Sequence, residues 1–117
     1  MPARVEVELD LYSGMPNPTW TLTDAEADSL VKQLAALPRT SATDLAGNLG
    51  YRGFIVRVTQ GADTQLIRIQ TGTVHIAKGA MNLYALDADR ALERWLLDTG
   101  KPYLKSDIVK VLEGEIR

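Results

Sequence analysis

From Phe54 to Ala77 the chain alternates apolar and polar residues in three short runs separated by two tight turn signals. Phe54, Val56 and Val58 alternate with Ile55, Arg57 and Thr59. After Gln60-Gly61-Ala62-Asp63 comes a second run, Leu66 to Gln70, and after Thr71-Gly72 a third, Thr73 to Ala77. A period of two places successive side chains on opposite faces of a sheet, and turns this short join antiparallel neighbours. A meander is therefore the frame around which the rest must fit. If Thr59 stands opposite Thr64, then Phe54, Val56, Val58, Ile67 and Ile69 share one face. Arg57, Leu66 and Arg68 share the other.

A further strand precedes the meander. Val5, Val7, Leu9 and Leu11 alternate with Glu6, Glu8, Asp10 and Tyr12, giving an apolar face and an acidic one. Met81 to Leu86 reads either as a fifth short strand or as a packed loop.

Three helices are expected. Thr23-Asp24-Ala25-Glu26 fits a capping box, with Ala27, Leu30, Val31, Leu34 and Leu37 at helical spacing and Pro38 as the stop. Asp87 caps a second helix whose face is Ala88, Ala91, Leu92, Trp95, Leu96 and Thr99. Gly100 stands where a left-handed residue often closes a helix, with Pro102 beyond. Ser106 caps a short third helix, with Ile108, Val109, Val111 and Leu112 inward. The expected fold is one α+β domain over residues 1–117. Its four- or five-stranded, mainly antiparallel sheet carries the helices on one face, in the order β-α-β-β-β-α-α.

Composition narrows the chemistry. The 117 residues include no cysteine, which excludes disulfides and thiolate sites. A net charge of −2, with both signs interspersed, lacks the clustered basic face of nucleic-acid binders. No apolar run approaches the ~18–20 residues that cross a bilayer, and the N-terminus has no apolar core of a secretory signal. A cytoplasmic protein with no nucleic-acid or membrane partner is the expectation. One histidine and no cysteine leave no transition-metal set. No phosphate loop or dinucleotide fingerprint occurs, so no cofactor is expected.

The candidate site residues fall into two groups. In the first, Ser13 to Trp20 carries Pro16 and Pro18, which hold Met15 and Asn17 extended. A stiff connector of this kind presents Tyr12, Asn17 and Trp20 to a ligand, beside Tyr51 and Arg52 at the end of a long loop from Pro38. Its structural alternative is a crossover pinned over one end of the core. In the second group, Arg57 and Arg68 offer guanidinium forks to an anion, unless Glu6, Glu8 and Asp10 pair with them across the strands. His75 is the only side chain that titrates near neutral pH unaided. A two-residue Thr71-Gly72 turn sets it opposite Arg68, whereas a bulge at Gly72 turns it inward.

Three functional readings follow. The first is a small binding or accessory module that recognises a small molecule or a protein partner through the Ser13–Trp20 and Pro38–Arg52 loops. The second is a cofactor-free enzyme using His75 as acid or base, with Arg57 or Arg68 holding an anionic substrate. The third is a homo-oligomerising structural protein.

Overall fold

The computed structural model describes residues 4–11, 17–40 and 51–116. The long alternating runs form the strands expected of them: β1 (Arg4–Leu11), β4 (Tyr51–Gln60), β5 (Asp63–Gln70) and β6 (Thr73–Lys78). Three more strands join them: β2 (Thr19–Thr21), β3 (Arg39–Thr40) and β7 (Met81–Leu86). The sheet is thus seven-stranded and antiparallel, in the order β2-β1-β4-β5-β6-β7-β3, rather than four- or five-stranded.

The two strands missed by periodicity are three and two residues long, too short to show a period of two. Each follows a proline. Pro18 and Pro38 have no N–H to give, yet their carbonyls accept from Leu9 N–H and Leu86 N–H, both at 2.9 Å. Extended, donor-free residues suit a sheet edge, and very short edge strands limit pairing with other chains. β2 inserts before the first helix and β3 after it, so the expected element order is corrected at those two places.

The helices are α1 (Asp24–Ala36), α2 (Ala91–Gly100) and α3 (Ser106–Glu115). α1 has the expected capping box: Thr23 Oγ1 accepts from Glu26 N–H at 3.1 Å, and Glu26 Oε1 accepts from Thr23 N–H at 2.9 Å. Leu30 and Leu34 of α1, Leu92 and Leu96 of α2, and Leu112 of α3 join one core with Val7, Phe54, Val56, Ile67, Ile69 and Val74. That core lies on one side of the sheet. At about 25 cal/mol per Å² of buried apolar surface, it is the main stabilising term in a chain without crosslinks.

Several local expectations are corrected. Val111 is exposed; the inward residues around α3 are Leu112 and Ile116, with Ile108 packed against them. Lys105 rather than Ser106 is the residue at the N-cap of α3, and no side chain caps it. Gly100 has φ −90°, not the left-handed value of a closing glycine. It is small for another reason: a Cβ there would run into the Trp20 ring. Trp20 is buried, meets Phe54 edge-on with centroids 6.3 Å apart, and gives its indole N–H to Thr99 Oγ1 at 3.0 Å.

The β5–β6 turn has positive φ at both central residues, Thr71 (50°) and Gly72 (80°), the type I′ pattern that matches strand twist. It is therefore the two-residue turn, and Arg68 stands opposite His75. Threonine is a poor occupant of this conformation. Thr71→Asn is expected to raise stability by about 0.5–1 kcal/mol. Thermal unfolding would show this as a gain of a few degrees, and a loss would mean that the Thr71 side chain has a task of its own.

A buried polar clamp ties this turn to the helices. Glu93 Oε1 accepts from Gly72 N–H at 2.8 Å, and Arg90 holds both Glu93 oxygens, at 3.2 and 3.0 Å. Arg90 also donates to the Glu115 carbonyl at 2.7 Å. Asp87 accepts from Leu92 N–H at 2.8 Å and Glu93 N–H at 3.1 Å in the first turn of α2, although the N-cap residue of that helix is Arg90 and not the expected Asp87. A 3₁₀ turn, Ala88–Arg90, delays the helix to Ala91. Burial pushes the Asp87 carboxyl above its ordinary value, against the two amides that pull it down.

Candidate functional site

The side of the sheet opposite the helices carries most of the chemically versatile residues. Alternation puts Glu6, Glu8, Arg57, Arg68 and His75 there, and the register lines them up. One row across the strands reads Thr19, Glu8, Ile55, Arg68, His75, Tyr84 and Thr40; the next reads Thr21, Glu6, Arg57, Leu66, Ala77 and Asn82. The expected cross-strand charge ladder forms. Arg57 reaches Glu8 at 3.3 Å, and Arg68 reaches Asp10 at 3.3 Å. Such partly exposed pairs contribute only ~0–1 kcal/mol each. Their effect is to order the guanidinium groups rather than to hold the fold.

Asn17 joins this cluster, because its amide donates to Glu8 Oε2 at 2.9 Å. Asn17 is thereby fixed to the same face as the arginines. His75 lies on it too, with Nε2 2.9 Å from Asn82 Oδ1 and its ring stacked on Tyr84 at a centroid distance of 4.7 Å. With the amide oxygen as acceptor, Nε2 carries the hydrogen. The structure thus brings together Asn17, Arg57, Arg68 and His75. Trp20 does not join them, since its ring lies in the core on the other side. Tyr12 lies outside the described residues. Tyr51 and Arg52 belong to β4, with Tyr51 opposite Leu11, but their side chains lie outside the description as well.

Three residues of this face went unnoticed in the sequence. Asn82 and Tyr84 would have been found by treating Met81–Leu86 as a strand, since the Gly79-Ala80 turn then sets Tyr84 opposite His75. Gln70 had no such signal. It is only 2% exposed, although it alternates with the helix-side residues Ile67 and Ile69. Both polar atoms of its amide, and Nε of neighbouring Arg68, are closed to solvent and have no hydrogen-bond partner among the described residues. Buried donors and acceptors are nearly always paired. These three atoms adjoin the Asp10–Arg68 pair, where β4 carries a bulge: Arg52 and Gly53 stand opposite Asp10 alone.

The cluster presents donors from Arg68 and Arg57, acceptors from Glu8 and Asp10, and a histidine–tyrosine stack beside them, with the buried Gln70 amide beneath. That combination suits hydrogen-bonded recognition of a polar group. Among the described residues no three His, Asp or Glu side chains gather to hold a metal ion, and no helix is long and apolar enough to cross a membrane. Fold and site together describe an α+β domain with one face of its sheet bare of helices and polar. The chain matches no protein-family model, no curated protein and no solved structure in the comparisons made.

Proposed function

We propose that the protein is a non-enzymatic binding module whose helix-free sheet face holds a small polar ligand. The observation that carries this reading is the trio of unpaired atoms, Arg68 Nε, Gln70 Nε2 and Gln70 Oε1. Each unsatisfied buried polar group costs about 1–3 kcal/mol. These atoms are closed to solvent, so a ligand reaches them by displacing the groups that cover them, and one that brings acceptors to the two N–H groups and a donor to the oxygen recovers part of that cost. A primary amide has this pattern, and a carboxylic acid has it while protonated. Asp10 neutralises Arg68 in part and so favours a ligand of low charge.

The catalytic reading of His75 has less behind it. Its ring is held by Asn82 and Tyr84, neither of which is a charged group.

A thermal-shift panel of small carboxylic acids, primary amides and phosphates tests the binding reading. At least one acid or amide is expected to raise the Tm of the unaltered chain by mass action. The shift is expected to vanish in Gln70→Leu, whose own Tm is equal or higher because an unpaired amide is gone. If Gln70→Leu keeps the shift, or if no acid or amide produces one, the proposal fails.

A further inference from the structure

The opposite side of the sheet carries a second feature, at the end of the core beside α1. The buried stripe of α1 is Ala27, Leu30 and Leu34. Val31 and Ala35, four residues apart and therefore stacked on one flank, lie just beside it. Val31 is 47% exposed. Across from them is Leu83 of β7, paired with Ile76 and 38% exposed. Between α1 and the strands lies a cavity of about 190 Å³, lined by Val31, Ala35, Val58, Ile76 and Leu83, with Arg39 and Gln65 among its polar residues. Exposed apolar surface with a polar rim is the character of ligand-binding grooves.

Arg39 supplies the polar end. It pairs with Ala85, whose side chain faces the core, so the Arg39 side chain leaves the edge strand on the helix side. It is exposed, and among the described residues it makes no ion pair. Arg57 and Arg68 on the other face each have a carboxylate. Among the described residues no Asp or Glu lines the cavity. A free guanidinium at an apolar opening matches a carboxylate, which it can bind through two parallel N–H donors.

Size limits the apolar part. A cavity of ~150 Å³ lined by aliphatic side chains admits benzene, so this one takes a single ring or a chain of similar bulk. We propose that the α1–β7 groove binds a small-molecule arylalkyl carboxylate, its ring between Val31, Ile76 and Leu83 and its carboxylate on Arg39. This second site is independent of the polar face.

The experiment is a titration of the ¹⁵N-labelled full chain with 3-phenylpropanoate, followed by NMR amide shifts. 3-Phenylpropan-1-ol serves as the uncharged counterpart, and Arg39→Gln as the variant. The acid is expected to give saturable shifts at Val31, Ala35, Ile76 and Leu83. Both the alcohol with the unaltered chain and the acid with Arg39→Gln should bind at least about tenfold more weakly, the usual range for losing a charge-assisted bond. Arg39 is exposed on a two-residue edge strand, so its replacement should leave the spectrum of the free chain otherwise intact. Equal binding of acid and alcohol would overturn the proposal, as would equal binding by Arg39→Gln. Shifts confined to Arg57, Arg68 and His75 would also overturn it while favouring the polar-face reading. Shifts at the groove that depend on protein concentration without ligand would assign it to a second copy of the chain.

Discussion

Gly53→Ala is expected to destabilise the protein by about 3 kcal/mol or more, a fall of roughly 10 °C or more in Tm. Two effects combine. Gly53 has φ +90°, in the region that L-residues enter only at a cost of ~1–2 kcal/mol. Its Cβ would also overlap the Ile69 carbonyl oxygen and come within 2.9 Å of Gln70 Cβ. Both belong to β5, so the clash is with the neighbouring strand and not with a flexible side-chain end. The β4–β5 ladder has to open to accept it. Gly61→Ala is the internal control. Gly61 also has positive φ, +58°, but a Cβ there meets nothing within 4 Å. Its substitution should cost only the conformational part, about 1 kcal/mol. If urea unfolding finds the two substitutions equal, the bulge is not the tight feature described above. Because Asp10, Arg68 and Gln70 surround this bulge, Gly53→Ala should also abolish any ligand effect at the polar face.

Arg90→Met should be nearly as damaging. Glu93 is 0% exposed, and Arg90 donates to both of its carboxylate oxygens. Removing one member of a buried pair takes a bidentate cation from the charge that stays behind, and breaking such pairs typically costs about 3–5 kcal/mol. The double substitution Arg90→Met with Glu93→Met is expected to be milder than Arg90→Met alone, since desolvation of two charges offsets much of what their attraction contributes. It will not recover everything, because Gly72 N–H loses its acceptor, a loss of ~1–3 kcal/mol. A double-mutant cycle by urea unfolding measures the coupling. Strictly additive effects would mean that the clamp is not a unit.

These two sites differ in how visible they are in the chain. Gly-Tyr-Arg-Gly before β4 can be suspected of making a bend, since glycine inside a strand often marks a bulge. That Gly53 touches β5 depends on β5 being its neighbour. Glu93 was hidden altogether. A glutamate in the first turn of a helix suits the helix dipole, and nothing local separates that ordinary case from a residue buried under a hairpin. Its burial follows from the Thr71-Gly72 turn, about twenty residues away in sequence and hydrogen-bonded to it in space.

The candidate site divides in the same manner. Alternation alone put Arg57 and Arg68 on the polar face and gave β1 its acidic one, so the Arg57–Glu8 and Arg68–Asp10 pairs were foreseeable as a type. Placing His75 there needed the geometry of one turn, for which Thr71 was a misleading residue. Trp20 offered an opposite lesson. A tryptophan after two prolines looked like a recognition element, yet β2 pairs with β1 and directs the ring inward against Gly100.

The chain by itself determined what local physics can enforce: the two faces of each long strand, the antiparallel turns, the capping box of α1 and the stop at Pro38. All are set by side-chain alternation, backbone restriction and hydrogen bonds within a few residues. Only the tertiary structure decided that β1 lies between β2 and β4, that β3 closes the far edge on β7, and that Glu93 and Trp20 are interior. Those outcomes depend on contacts between distant segments, where the free energy of packing selects among arrangements that local sequence leaves equal.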